Sequence, residues 1–291
     1  MRTFPWLCAS AVGLLLAIFP QSSWAQTPPL GEPQKRTQAD VDRSAEADFL
    51  SRISMELGAD LEVGRYGGRL PSVFFSIPAE LGYDHDGVVA SLTVPYDIQR
   101  SRGNVLRVGG RLVRVGGKAQ RRPKTEGGIG DILLDGGYYV MEAQDELPYL
   151  LAEGEVKFPT ADDERGLGTG SYDETIRLSS GTTLWKHLKL ELDLGYGFIG
   201  QPEDIPSKVT DFHDTIYYGG TIGYKFNPSN VLSVKLDGST RIVPHTPSYD
   251  VVLFEYDHYF KNDSRLLISV GPGLTSSSPG LSFEISYLWW F

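Results

Sequence analysis

From residue 53 to the C-terminus, apolar side chains recur on alternate positions in one segment after another. In 188–198, Leu188, Leu190, Leu192, Leu194, Tyr196 and Phe198 alternate with Lys189, Glu191, Asp193, Gly195 and Gly197. Successive side chains of a strand point to opposite faces, so each such segment predicts a strand with one apolar and one polar face. Twelve segments fit, beginning near residues 57, 73, 88, 132, 150, 176, 188, 216, 232, 252, 266 and 281. The last sets Leu281, Phe283, Ile285, Tyr287, Trp289 and Phe291 on one face, with Ser282, Glu284 and Ser286 between them.

The connections carry an independent signal. Every second one is short: 84–87, 144–147, 181–186, 227–230 and 261–264. The long ones, 99–128, 160–173 and 201–214, all fall on the other side. A soluble β-sandwich also alternates, but so lopsided a loop pattern fits a closed barrel better. An even strand number, short turns on the periplasmic side and aromatic residues near strand ends are features of bacterial membrane barrels. The expected fold is all-β: a transmembrane antiparallel up-and-down β-barrel of about 12 strands, of the bacterial outer-membrane type, over 53–291.

Residues 1–25 read as a signal peptide for Sec export. Arg2 gives the positive start, 9–19 a short apolar run, and Ser23-Trp24-Ala25 small residues at the cleavage positions. That run is too short to span a bilayer as a helix, which takes roughly 20 apolar residues. Residues 26–52 are polar and charged, a periplasmic N-terminal segment. The only cysteine is Cys8, so disulfides have no part in the exported fold. Without 1–25 the chain has 26 basic and 37 acidic side chains, a net charge of −11. An acidic exported protein is a poor partner for nucleic acid.

Two motifs carry a family resemblance. Residues 128–134 read GIGDILL, and FPTAD at 158–162 is followed by GLGTGSYD at 166–173. Together they resemble the outer-membrane barrel family labelled "putative MetA-pathway of phenol degradation", whose members carry a GxGD motif and a PTGD…GLGTG loop. The resemblance covers most of 55–291, with Ala161 standing where the family usually has Gly. It implies a barrel that passively transports small, hydrophobic or aromatic molecules across the outer membrane. A structural or adhesion barrel and an outer-membrane lipid-modifying enzyme are the alternatives. The ending on Phe291 is similar to the terminal strand that the barrel-assembly machinery reads. Outer-membrane lipids, lipopolysaccharide and a small-molecule solute complete the expected partners.

If the apolar faces meet lipid, the polar faces line the lumen. They hold Asp60, Glu62, Glu80, Asp131, Asp135, Glu153, Glu155, Glu191, Asp193, Asp237, Glu255, Asp257 and Glu284, against Lys157, Arg177, Lys189, Lys235 and Arg241. So many inward charges need water or partners. The lumen is either water-filled and favourable to cations, or its charges pair with each other and with a folded-in loop. The candidate loop lies within 99–125, which has Arg107, Arg111, Arg114, Lys118, Arg121 and Arg122 and no acidic residue. Leu106 to Gly110 nearly recurs as Val113 to Gly117, which predicts a small hairpin beyond the membrane. The loop either contacts lipopolysaccharide phosphates or folds inward as a constriction, and the second is the reading adopted.

Catalysis is not expected. There is no G-x-S-x-G, and the least unfavourable nucleophile–base pair is Ser248 with His245. The acidic run Asp162-Asp163-Glu164 is read as a solvated loop rather than a calcium site. No metal and no cofactor are expected.

Overall fold

The structure, a computed structural model, describes residues 51–101, 105–115, 122–144, 147–201 and 211–291. The expected signal peptide, nearly all of 26–52, Lys118 and Arg121 lie outside the described residues. Among the described residues no helix is long and apolar enough to cross a membrane. The elements are strands: β1 (Ile53–Gly64), β2 (Ser72–His85), β3 (Val88–Ser101), β4 (Val105–Val108) and β5 (Arg111–Arg114). Then come β6 (Lys124–Ile129), β7 (Ile132–Met141), β8 (Tyr149–Phe158), β9 (Asp173–Leu184) and β10 (Leu188–Phe198). The last five are β11 (Thr215–Asn227), β12 (Asn230–Ser239), β13 (Tyr249–Tyr259), β14 (Arg265–Gly271) and β15 (Leu281–Trp290).

β6 and β7 lie end to end along β3 and together make one wall strand. The wall is then a closed 12-stranded antiparallel barrel. Each strand pairs with its chain neighbour, and β1 joins β15 from Ser54↔Trp290 to Val63↔Leu281. Closure leaves the wall without a free edge, which is what a sheet in lipid requires. Outward positions such as Leu57, Leu92, Leu192, Ile222 and Phe254 are exposed, while the positions between them turn polar groups inward. At the short-turn end Phe260 packs edge-on to Tyr287 at 5.8 Å and to His258 at 4.5 Å, part of an aromatic girdle.

The strands outrun their apolar alternation. β3 continues to Ser101 and β6 resumes at Lys124, so the basic loop is shorter at both ends than the span 99–128. Arg100, Lys124 and Thr125 are exposed at this rim. Backbone pairing continues there although the apolar alternation has ended. β9 likewise runs to Leu184, leaving a tight turn at Trp185 and Lys186, both with left-handed φ.

Candidate functional site

The lumen is built from the inward half of every strand. Asp60, Asp135, Glu153, Glu155, Lys157, Arg177, Lys189, Lys235, Asp237, Glu255 and Asp257 are buried there. Glu191, Asp193 and Glu284 are half-buried on the same face, and Asp131 sits at the break between β6 and β7. Lys189 reaches Glu191 at 3.1 Å, and Ser179 donates to Glu153 at 2.9 Å. Arg241 differs: β12 ends at Ser239, Thr240 bonds back to Ile216, and Arg241 is exposed in the outer loop rather than in the lumen. Arg265, Glu56 and Asp97 join the lumen beyond the sequence reading, and Arg265 bonds Asp257 at 2.7 Å. A strand taken to begin near residue 266 omits Arg265, and one taken to begin near residue 57 omits Glu56.

The basic loop enters this lumen. β4 and β5 form a hairpin whose two-residue turn is Gly109-Gly110, both at positive φ (50° and 65°), the type I′ geometry that favours glycine. It folds inward instead of standing beyond the membrane. Arg111, 3 % exposed, clasps Asp237 of β12 with two hydrogen bonds of 2.6 and 2.7 Å. Its guanidinium also lies 4.4 Å from the centre of the Tyr249 ring. Burial opposes the Arg111 charge, yet Asp237 carries its pKa above the ordinary guanidinium value. Tyr217 donates to the Gly109 carbonyl at 2.8 Å.

Apolar contacts close the mouth around the hairpin. Val108, Val113 and Val115 pack with Ile199, Phe212, Ile242 and Val243. Val105 and Leu112 pack with Tyr66 and Phe74. Arg107 points into the lumen near Asp97, Glu62 and Asp60. Arg114 donates to the Gly67 carbonyl at 3.0 Å, and Arg122 is exposed outside.

The two sequence motifs meet beneath the hairpin tip, around one ammonium group. Lys157 lies 3.2 Å from Asp131 and 2.9 Å from Asp173, and donates to Thr169 at 2.9 Å. Asp131 accepts from the Ala161 amide at 3.0 Å, and Asp173 accepts from the Gly109 amide at 3.1 Å. GIGD and GLGTGSYD thus supply the carboxylates that fix both Lys157 and the plug. Ala161 is buried without a left-handed backbone, so the usual glycine is not needed. Replacing Lys157 by Met removes the cation that sits between Asp131 and Asp173. A loss of about 3–5 kcal/mol is expected, read as a lower urea midpoint in detergent.

Other candidates dissolve into structure. Ser248 donates to Asp250 at 2.5 Å, which commits its hydroxyl away from His245. Asp162 and Asp163 accept from the amides of Arg165 and Glu164 and shape their own loop.

Two features set what the lumen can pass. Cavities of about 40 and 50 Å³ flank the hairpin, enough for a few waters but far below the ~150 Å³ that holds benzene. The wall also has a fault. Pro78 of β2 pairs in register with Pro95 of β3. The β1–β2 ladder skips Gly58 and Ala59 opposite Ile77 and Pro78, and the β6–β7 break lies beside Pro95. Proline has no N–H for the ladder and is ordinarily confined to edges or bulges. Behind the fault lies the smaller cavity, lined by Ser76, Thr93, Pro95, Leu133 and Leu167 among others.

The sequence profile of the family described as "Putative MetA-pathway of phenol degradation" matches residues 94–289. The chain belongs to this family. No curated protein matches it by sequence. Among solved structures, an outer-membrane channel from Pseudomonas putida F1 is similar, with TM-score 0.62 and 14 % identity over 83 % of this chain and 96 % of that one. The KdgM porin follows with TM-score 0.51 and 10 % identity, covering 82 % and 99 %. The NanC porin has TM-score 0.50 and 9 % identity, covering 81 % and 99 %. At these identities the likeness is one of fold: this family member is an outer-membrane barrel.

Proposed function

We propose that the protein is a passive outer-membrane channel for small hydrophobic molecules. It is shut to polar solutes at rest, and its cargo crosses the wall at the Pro78–Pro95 fault. The observation that carries this reading is the cavity behind the fault. It places apolar Leu133, Leu167 and Pro95 next to a stretch of wall where the ladders on either side of the β2–β3 pair both lose pairs. Outside the same stretch, Leu57, Ile77, Val94 and Tyr96 are exposed toward lipid. A nonpolar molecule gains from the apolar part of this cavity's lining, which carries charged groups such as Asp131 and Lys157 as well, whereas a route along the axis must also pass the docked hairpin. The family's description, through phenol degradation, supports a small aromatic cargo.

Export fits the same picture. Residues 1–25 direct Sec export, Phe291 serves as the assembly signal, and the basic rim meets lipopolysaccharide. Phe291 donates its amide to the Ile53 carbonyl at 3.1 Å, so that signal also closes the seam.

The test compares Gram-negative cells with and without the protein. Uptake of the nonpolar dye N-phenylnaphthylamine should rise with it, while liposomes bearing the protein should not swell in arabinose. Free passage of arabinose with no gain in dye uptake would establish a polar pore and sink the proposal.

A further inference from the structure

Two cavities along the β2–β3 wall share a boundary. One is the cavity of about 40 Å³ behind the fault, with Pro95 and Leu133 in its lining. The other, of about 10 Å³, is lined by Phe74, Phe75, Ile98 and Gln99 among others. Phe75 pairs with Ile98 between the fault and the outer rim, so the smaller cavity lies nearer the cell surface. Asp97, Arg107 and Leu167 line both cavities and form the partition between them. Asp97 and Arg107 carry opposite charges, and Asp97 accepts from Ser76 at 2.6 Å. Of the three, only Leu167 is apolar.

Leu167 belongs to the GLGTGSYD motif and is buried. The backbone around it is tied down. Gln99 donates to the Gly166 carbonyl at 2.6 Å, the Leu167 amide donates to the Asp162 carbonyl at 3.0 Å, and Lys157 donates to Thr169 at 2.9 Å. The Leu167 side chain, by contrast, is held by packing alone. It lies on the bare backbone of Gly128 in the GIGD motif, where an added Cβ would stand 3.0 Å from Leu167 Cδ1. One motif thus supplies a leucine, and the other the flat surface on which it rests.

We propose that Leu167 is the size-determining residue of the nonpolar route. It is the movable partition between an entry pocket under the outer rim and the cavity behind the fault. This inference rests on the transport reading above and supplies the step that precedes the wall crossing. Neither cavity reaches the ~150 Å³ that holds benzene, so cargo advances only as the partition yields. Parting Asp97 from Arg107 for a nonpolar molecule would leave buried charges unanswered. A leucine side chain instead moves between staggered rotamers and offers apolar surface as it does so. A single ring needs a smaller displacement than a bulkier molecule, so the partition favours single rings.

The experiment measures uptake of N-phenylnaphthylamine and of radiolabelled toluene by Gram-negative cells carrying each variant, normalised to the amount of folded barrel. Leu167→Ala should raise the ratio of dye to toluene uptake several-fold, and liposomes bearing it should still not swell in arabinose. Leu167→Met conserves volume and should keep the wild-type ratio. Leu151 is fully buried in a separate cluster with Val89 and Tyr139 and borders neither cavity. Leu151→Ala therefore controls for lost packing and should also keep that ratio. Gly128→Ala tests the partition without touching Leu167: its methyl crowds the leucine off the wall, and the ratio should fall. An unchanged ratio in Leu167→Ala or in Gly128→Ala, with the wild type still taking up more dye than cells without the protein, overturns the role of Leu167 and leaves the transport reading standing. An equal rise in Leu151→Ala overturns it too, because general loosening would then be the cause. A wild type that takes up no extra dye sinks the transport reading and this inference together.

Discussion

Replacing Arg111 with serine is expected to turn a quiet barrel into a conducting one. The side chain is the hairpin's charged latch: it is buried, bonded twice to Asp237 and set against the Tyr249 ring. Serine reaches none of these partners and leaves Asp237 buried without its cation. Breaking a buried ion pair from one side costs about 3–5 kcal/mol. The docked hairpin bears that cost and the undocked one, with Asp237 hydrated, does not. At about 1.4 kcal/mol per tenfold, the undocked population rises by two to three orders of magnitude. Single-channel recording in planar bilayers reads this directly as a higher open probability. The double replacement Arg111→Met, Asp237→Leu is the control. It removes both charges and refills their volume with apolar atoms, which is commonly neutral or better, so it should stay quiet. Silence from Arg111→Ser equal to that of the wild type would mean that the apolar mouth contacts alone hold the hairpin.

The wall was readable in the sequence because lipid and lumen impose opposite demands on alternate residues. The face of each strand follows from period two, and the loop sides follow from their lengths, so twelve wall strands could be placed without a structure. The hairpin was half-readable. Its Gly109-Gly110 turn and its want of acidic residues marked a basic hairpin near an acidic wall, but two destinations fitted. What decides between them is long-range: Asp237 lies 126 residues from Arg111 and Asp173 lies 64 from Gly109, and no local pattern announces such pairs. Arg241 shows the converse error. It keeps the inward parity of β12, but parity means nothing once Thr240 has ended the strand. The GIGD and GLGTGSYD motifs were visible as words, while their meeting at Lys157 depends on how the loop folds. The wall fault was hidden for a different reason. Pro78 and Pro95 each look like isolated strand prolines, and only the register shows that they are partners.

That register makes the fault testable by covalent closure. Gly58 and Pro78 fall opposite each other, and a Cβ built on Gly58 would stand 3.0 Å from Pro78 Cγ. With the two residues facing each other at contact distance, Gly58→Cys with Pro78→Cys is expected to cross-link β1 to β2 under oxidation. Cys8, the one native cysteine, is replaced by Ser in this background so that no third thiol competes. The oxidised double variant should take up N-phenylnaphthylamine no faster than cells without the protein, and a reductant should restore uptake. Pro78→Cys alone separates the effect of the bridge from that of removing the proline. In a background carrying Arg111→Ser, the same cross-link should leave ion conductance unchanged, because ions then use the axial route. Loss of dye uptake with conductance intact would separate a wall route for nonpolar molecules from an axial route for ions. Undiminished dye uptake by the oxidised barrel would instead send the nonpolar cargo through the mouth, past the hairpin, and leave the paired prolines as a purely structural feature of the wall.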